Sequence, residues 1–166
     1  MKKLSVISLL VVMALVLTAL GAAASDDVRR FRAEMTGAGH GNDSTAAGKA
    51  QFKFSKDGQS LRYQVLVKEL EDTTMAHIHL AAEPGGSGPV VLWLYPDAPP
   101  PVLIPGFFSG LLGKRSVSSS DLVGPLAGMS LEDLKQAILE GRAYVNVHTN
   151  EFPVGEIRGE IMPVKK

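Results

Sequence analysis

Three histidines of this 166-residue chain have a spacing that suits a metal site. His77 and His79 lie two residues apart in a stretch that reads as a β-strand, and His148 ends a second such stretch, 144–148. Because alternate residues of a strand project from the same face, the imidazoles of His77 and His79 share one face. If the two strands are neighbours, all three imidazoles converge. Three histidine ligands suit copper, zinc, nickel or iron.

Glu156 is the candidate for a fourth group. It follows His148 across a predicted hairpin and faces opposite to Ile157, so we expect it on the histidine face. There its carboxylate could bind the metal or accept a hydrogen bond from an imidazole N–H. The candidate metal ligands are therefore His77, His79, His148 and Glu156, with copper or zinc as the possible cofactor.

The same residues also allow a purely structural interpretation. The histidines could hydrogen-bond a loop that crosses the sheet, for which the proline-rich stretch 96–105 is the candidate. Glu156 and Arg158 could form a surface ion pair. His40 lies in a glycine-rich stretch, and we expect it in solvent rather than among the ligands.

The elements that must position these side chains read as short strands. Apolar and polar residues alternate over 50–55 and 61–68, on either side of an Asp57-Gly58 pair that is typical of a tight hairpin turn. Ser130 begins one short helix near residues 130–140, with Asp133 at the capping-box position. Further strands are predicted over 28–36, 74–82, 89–95, 107–112, 143–149 and 155–162. About seven or eight strands and one helix predict an all-β fold, an antiparallel sandwich or barrel.

Alternation along the candidate strands also predicts the core. Ile78, Val145 and Val147 face opposite to the histidines, so they are expected to point inward. Trp93 and Tyr95 share a face of their strand, where a role in the core is the favoured interpretation and an exposed binding patch is the alternative.

Composition excludes several functions. Seventeen basic residues balance seventeen acidic ones, which argues against a nucleic-acid partner. The chain has no cysteine, so disulfides, thiolate metal sites and cysteine nucleophiles are excluded. The serine run 118–120 has no base paired with it in the sequence, so an enzyme is the less favoured interpretation.

The first 24 residues have the three parts of a secretory signal peptide. Lys2 and Lys3 precede the apolar run 4–20, and the small residues 22–24 provide a cleavage site after Ala24. An uncleaved membrane anchor is the alternative. We expect cleavage, a single domain over 25–166, and a secreted, periplasmic or cell-envelope location without stable membrane insertion.

Four segments together resemble the CHRD domain, which is named for chordin and also found in secreted prokaryotic proteins. They are the stretches 76–79, 85–91, 141–149 and 153–161, and the string around YVNVHT and GEIRG is the most distinctive. The resemblance implies an antiparallel β-sandwich of immunoglobulin-like or superoxide-dismutase-like shape. The His-x-His strand is also similar to the copper-ligand strand of copper-zinc superoxide dismutase, an analogy of fold that does not predict dismutase activity.

Two functions from different classes follow. The first is an exported binding or interaction module whose partner, a protein or a small ligand, the sequence does not identify. The second is a copper- or zinc-binding protein that uses the three histidines.

Overall fold

The computed structural model describes residues 29–164 and shows an antiparallel β-protein with short helices. The predicted signal peptide, residues 1–24, lies outside this range. No helix within 29–164 is long and apolar enough to cross a membrane. The elements are β1 (Arg30–Thr36), α1 (Gly37–His40), β2 (Ala47–Phe54), β3 (Leu61–Leu80), β4 (Val90–Tyr95), β5 (Ile104–Val117), two 3₁₀ turns (Ser119–Asp121 and Gly124–Leu126), α2 (Leu131–Leu139), β6 (Ala143–Thr149), β7 (Ile157–Glu160) and β8 (Met162–Pro163).

The sheet closes on itself as a barrel. Its strand order is β2-β1-β7-β6-β3-β4, and β2 also pairs with β3, so five strands form a ring. Strand β5 pairs with β3, and β8 pairs with β1. The all-β prediction is confirmed, and of the two architectures left open the structure is the barrel.

Strand β3 is the longest element and joins two strands that the sequence predicted as separate. Its first part pairs with β2 and β5, and its last part pairs with β6 and β4. Between them, Glu69 and Asp72 have positive φ values of 58° and 51°, and the register with β5 shifts on both sides. Such bulges bend a strand without ending it. The polar stretch between the two predicted strands is therefore a bend within one strand.

The predicted hairpin of β2 and β3 is confirmed and supplies much of the core. Alternate residues of β3 turn inward, and Leu61, Tyr63, Val65 and Val67 are at most 3% exposed. Their neighbours on the other face are polar or half-exposed, which is the period-two pattern expected for a sheet with one wet face.

Strand β5 extends well beyond the predicted 107–112. It contains Pro105, which has no N–H for a ladder. Because β3 is the only strand within 29–164 that pairs with β5, the other edge of β5 needs no donors, and the proline is tolerated there.

Helix α2 begins as predicted. The Ser130 side chain accepts a hydrogen bond from the Asp133 amide, and the Asp133 carboxylate accepts one from the Ser130 amide at 2.8 Å. Leu131, Leu134 and Ile138 form its buried face. The helix packs against β6 and leads directly into it, so it helps to hold the strand that carries His148.

We expect Ser130→Ala to lower the free energy of unfolding by about 1 kcal/mol, because the first helical turn loses its cap. Urea denaturation followed by circular dichroism measures the change. Ser116→Ala, at an exposed position of β5, is the matched control and should change stability by less than about 0.5 kcal/mol. Equal losses in the two variants would contradict the capping role.

Candidate metal centre

The pairing of β3 with β6 places the three histidines on one face. In this register His77 lies opposite Asn146, His79 opposite Tyr144, and Met75 opposite His148. The residues that alternate with them, Ile78, Val145 and Val147, are fully buried in the core. The predicted facing of both strands is therefore correct. The histidine face is not open, however, because His77 is 2% and His148 5% exposed.

The three imidazoles approach one another closely. Nδ1 of His77 lies 3.3 Å from Nε2 of His148, and one nitrogen from each of the three rings lies within 4.8 Å of the other two. Ligand nitrogens around one ion with bonds of about 2.0–2.1 Å are roughly 3–4 Å apart. The nitrogen–nitrogen distances among His77, His79 and His148 are thus within about 1 Å of those required to bind one ion.

Backbone carbonyls fix the proton positions of two rings. Nδ1 of His79 donates to the carbonyl of Gly88 at 2.8 Å, and Nδ1 of His148 donates to that of Pro153 at 3.0 Å. A carbonyl oxygen only accepts, so in each neutral ring the Nε2 atom carries the free lone pair. This is the arrangement typical of metal-binding histidines, whose second nitrogen donates to a carbonyl or carboxylate.

The remaining nitrogens are short of partners. Since Nε2 of His148 is an acceptor, Nδ1 of His77 donates to it, and Nε2 of His77 is left as a lone pair. Nε2 of His77 and Nε2 of His79 are both buried without a hydrogen-bond partner. So is Oδ1 of Asn146, the residue opposite His77. Buried polar atoms without partners are rare, so three on one face need an explanation.

Burial keeps the rings uncharged. Desolvation, together with the neighbouring His148 and His79, lowers the pKa of His77 to about 3. Desolvation also lowers the pKa of His148 to about 4, against the opposing effect of its bond to Pro153. The pKa of His79 is lowered for the same reason. At neutral pH the lone pairs are therefore free of protons.

Aromatic rings pack directly against the imidazoles. Trp93 meets His77 edge to face with ring centroids 4.2 Å apart, and Tyr144 stacks on His79 at 5.0 Å. The Arg158 guanidinium lies over the Tyr144 ring at 3.5 Å. The interpretation of Trp93 as a core residue was wrong, since it is half-buried beside the site.

Two turns, rather than the proline-rich stretch 96–105, supply the hydrogen bonds that hold the imidazoles. At Gly155, which has φ 129°, a side chain would overlap the Asn146 amide and the His40 ring. His40 Nε2 and Asn146 Nδ2 both donate to the Val154 carbonyl at 3.0 Å. His40 is therefore not among the ligands but holds one covering turn.

Glu156 lies apart from the three histidines. Its carboxylate accepts hydrogen bonds from Ser44 Oγ at 2.6 Å and Thr149 Oγ1 at 2.8 Å, and it borders a separate acidic cleft. Alternation fails here because the ladder between β6 and β7 begins only at Ile157, and Gly155 turns the chain just before it. The alternative interpretation, an ion pair of Glu156 with Arg158, does not hold either, since Arg158 pairs with Glu160 at 2.7 Å.

Sequence reasoning missed the groups that orient the rings. The carbonyls of Gly88 and Pro153 belong to turns and carry no signal of residue type. Trp93 could be assigned only from its pairing with His77, and that ladder contains register shifts. The positions of Tyr144 and Asn146 followed from strand alternation.

The fold and the site together define a small antiparallel β-barrel that holds three imidazoles beneath two turns, two of them buried and one partly buried. Residues 31–161 match the family described as the CHRD domain. This range is most of the chain, which therefore belongs to the CHRD domain family. Neither the curated proteins nor the solved structures contain a match.

The buried histidines should make the protein sensitive to mild acid. Their folded pKa values lie below the usual value of about 6.5, so the unfolded state binds more protons as the pH falls. The free energy of unfolding then has its full value above about pH 6.5. Below that pH it declines by about 1.4 kcal/mol per pH unit for each such histidine.

Urea unfolding between about pH 6.5 and 5.5 measures this slope before carboxylates titrate, with chelator present to remove metal. In His148→Gln the slope should correspond to about one proton fewer taken up on unfolding. A slope identical to that of the unaltered protein would show that His148 is not desolvated.

Proposed function

We propose that this CHRD domain is exported and binds one copper or zinc ion through His77, His79 and His148. The proposal rests on one observation above others: a nitrogen from each of three uncharged rings lies within 4.8 Å of the other two. Nε2 of His77 and Nε2 of His79 have no other partner. A metal ion would satisfy these lone pairs together.

The donor set favours copper over zinc. All three ligands are neutral imidazoles, which both metals accept, and Cu²⁺ is the divalent ion that nitrogen donors bind most tightly. Neither a thiolate nor a carboxylate lies within the group to favour zinc or a harder ion. Asn146 Oδ1, buried opposite His77, would lie on the same face as a further oxygen donor.

Binding is a better account of this site than catalysis. Two of the three rings are almost wholly buried, and the covering turns contact the third through Gly88. A catalytic metal needs an open coordination position that a substrate can reach. We therefore propose a metal-binding role for the three histidines. Binding of a partner by this domain is a separate proposal.

Trp93 makes the proposal directly measurable. It is the only tryptophan of the chain, and its ring centroid lies 4.2 Å from that of His77. We expect Cu²⁺ to quench most of its fluorescence with one ion bound per chain. Zn²⁺ does not quench in this way, but it should raise the melting temperature, since a ligand of the folded state stabilises by about 2.7 kcal/mol at a hundredfold excess over Kd.

Variants separate the site from adventitious binding. His79→Ala and His148→Gln should each weaken Cu²⁺ binding by roughly 100-fold, while circular dichroism shows whether the barrel is retained. His40→Gln is the matched control, because it removes the remaining imidazole of the chain but keeps a side-chain N–H that can donate to the Val154 carbonyl. The proposal is wrong if the unaltered protein binds neither ion, or if His40→Gln weakens binding as much as His79→Ala does.

A further inference from the structure

A second surface, remote in sequence from the histidines, carries an unusual arrangement of charge. The register across β1, β2 and β3 places Arg30 opposite Lys53 and Lys53 opposite Arg62. Neighbouring strands are about 4.8 Å apart, so three cations stand side by side in one row. The next row on the same face contains Arg32, Gln51, Gln64 and Lys114.

These two rows border a hollow of about 480 Å³, and no acidic residue within 29–164 lines it. Its five cations are all exposed, and none forms an ion pair with a residue in the range 29–164. They are Arg30, Arg32, Lys53, Arg62 and Lys114. Only in the following row does an acid appear, where Glu34 pairs with Lys49 at 3.3 Å.

This arrangement costs stability. Like charges directly opposite on neighbouring strands repel, typically by a few tenths of a kcal/mol for each pair. Natural sequences usually alternate the sign of charge across strands, as Glu34 and Lys49 do here. A local rule broken without compensation inside the protein points to a functional surface.

We propose that this basic hollow binds an acidic polysaccharide chain. Arg30, Lys53 and Arg62 lie about 4.8 Å apart across the strands, and Arg30 and Arg32 lie about 6.6 Å apart along β1, spacings that suit a linear polymer charged on successive sugar units. The amides of Gln51 and Gln64, joined by a hydrogen bond of 3.1 Å, lie between the cations and can bond sugar hydroxyls.

The same observations disfavour other anionic partners. Single-stranded nucleic acids bind by stacking bases on exposed aromatic rings, but Phe31, Phe52 and Tyr63 beneath this hollow are at most 3% exposed. A membrane surface is bound through exposed apolar side chains that enter the bilayer, and Val164 is the only exposed apolar side chain in the lining. A cationic hollow without exposed aromatic rings fits a hydrophilic, negatively charged chain.

Isothermal titration calorimetry with dextran sulfate and with polygalacturonate tests the proposal, using one sulfated and one carboxylated polymer. We expect the unaltered protein to bind at least one of them, with affinity falling steeply between about 50 mM and 200 mM salt. Lys53→Gln combined with Arg62→Gln should weaken binding at least tenfold and reduce the salt dependence by about two charges.

The matched control combines Lys49→Gln with Lys68→Gln. It removes the same number of charges from exposed positions of the same two strands, outside the hollow. Its affinity for the polymers should stay within about twofold of that of the unaltered protein. Net charge outside the hollow adds little to binding at the upper end of this salt range, about 200 mM, because salt screens distant charges. Equal weakening in both double variants, or no binding to either polymer at low salt, would overturn the proposal. So would tighter binding to oligothymidylate or to phosphatidylglycerol vesicles than to the polysaccharides.

Discussion

The antiparallel pairing of β3 with β6 is the interaction on which the histidine group depends. It joins segments some seventy residues apart in the chain and sets Ile78 against Val145 on the core face. Because the side-chain period of a strand is two, a slip of one residue would exchange the apolar and imidazole faces. Every residue of β6 is buried, so such a slip would cost core packing along the whole strand. The register that builds the core therefore also assembles the imidazoles.

That assembly costs the imidazoles much of their hydration. Desolvation removes the charge that a histidine could carry near neutral pH, which by itself favours the unfolded state in acid. The carbonyls of Gly88 and Pro153 compensate two N–H groups but do nothing for the lone pairs opposite them. An apolar residue would fill the same space without unpaired nitrogens. Retaining imidazoles there is reasonable only if the lone pairs themselves are used.

Sequence patterns predicted the parts of the structure that depend on local periodicity. The hairpin, the capped helix and the facing of His77, His79 and His148 all follow from residues a few positions apart. The failures have different physical causes. The continuity of β3 rests on positive φ values at Glu69 and Asp72, which side chains seldom adopt and sequence does not signal. Glu156 lies beyond the end of its ladder, where alternation no longer determines direction. Its actual partners, Ser44 and Thr149, depend on tertiary placement.

The long strand β3 also shows why two surfaces of one barrel have different chemistry. Arg62 in its first part and His77 in its last part both point away from the core. What differs is the cover, since turns lie over the histidines while the basic hollow is open to water. A covered ring loses its proton and offers a lone pair for coordination, whereas an open guanidinium stays charged and acts at a distance. The bend at Glu69 and Asp72 separates the two parts of the strand, so coordination at one end need not disturb the electrostatic field at the other.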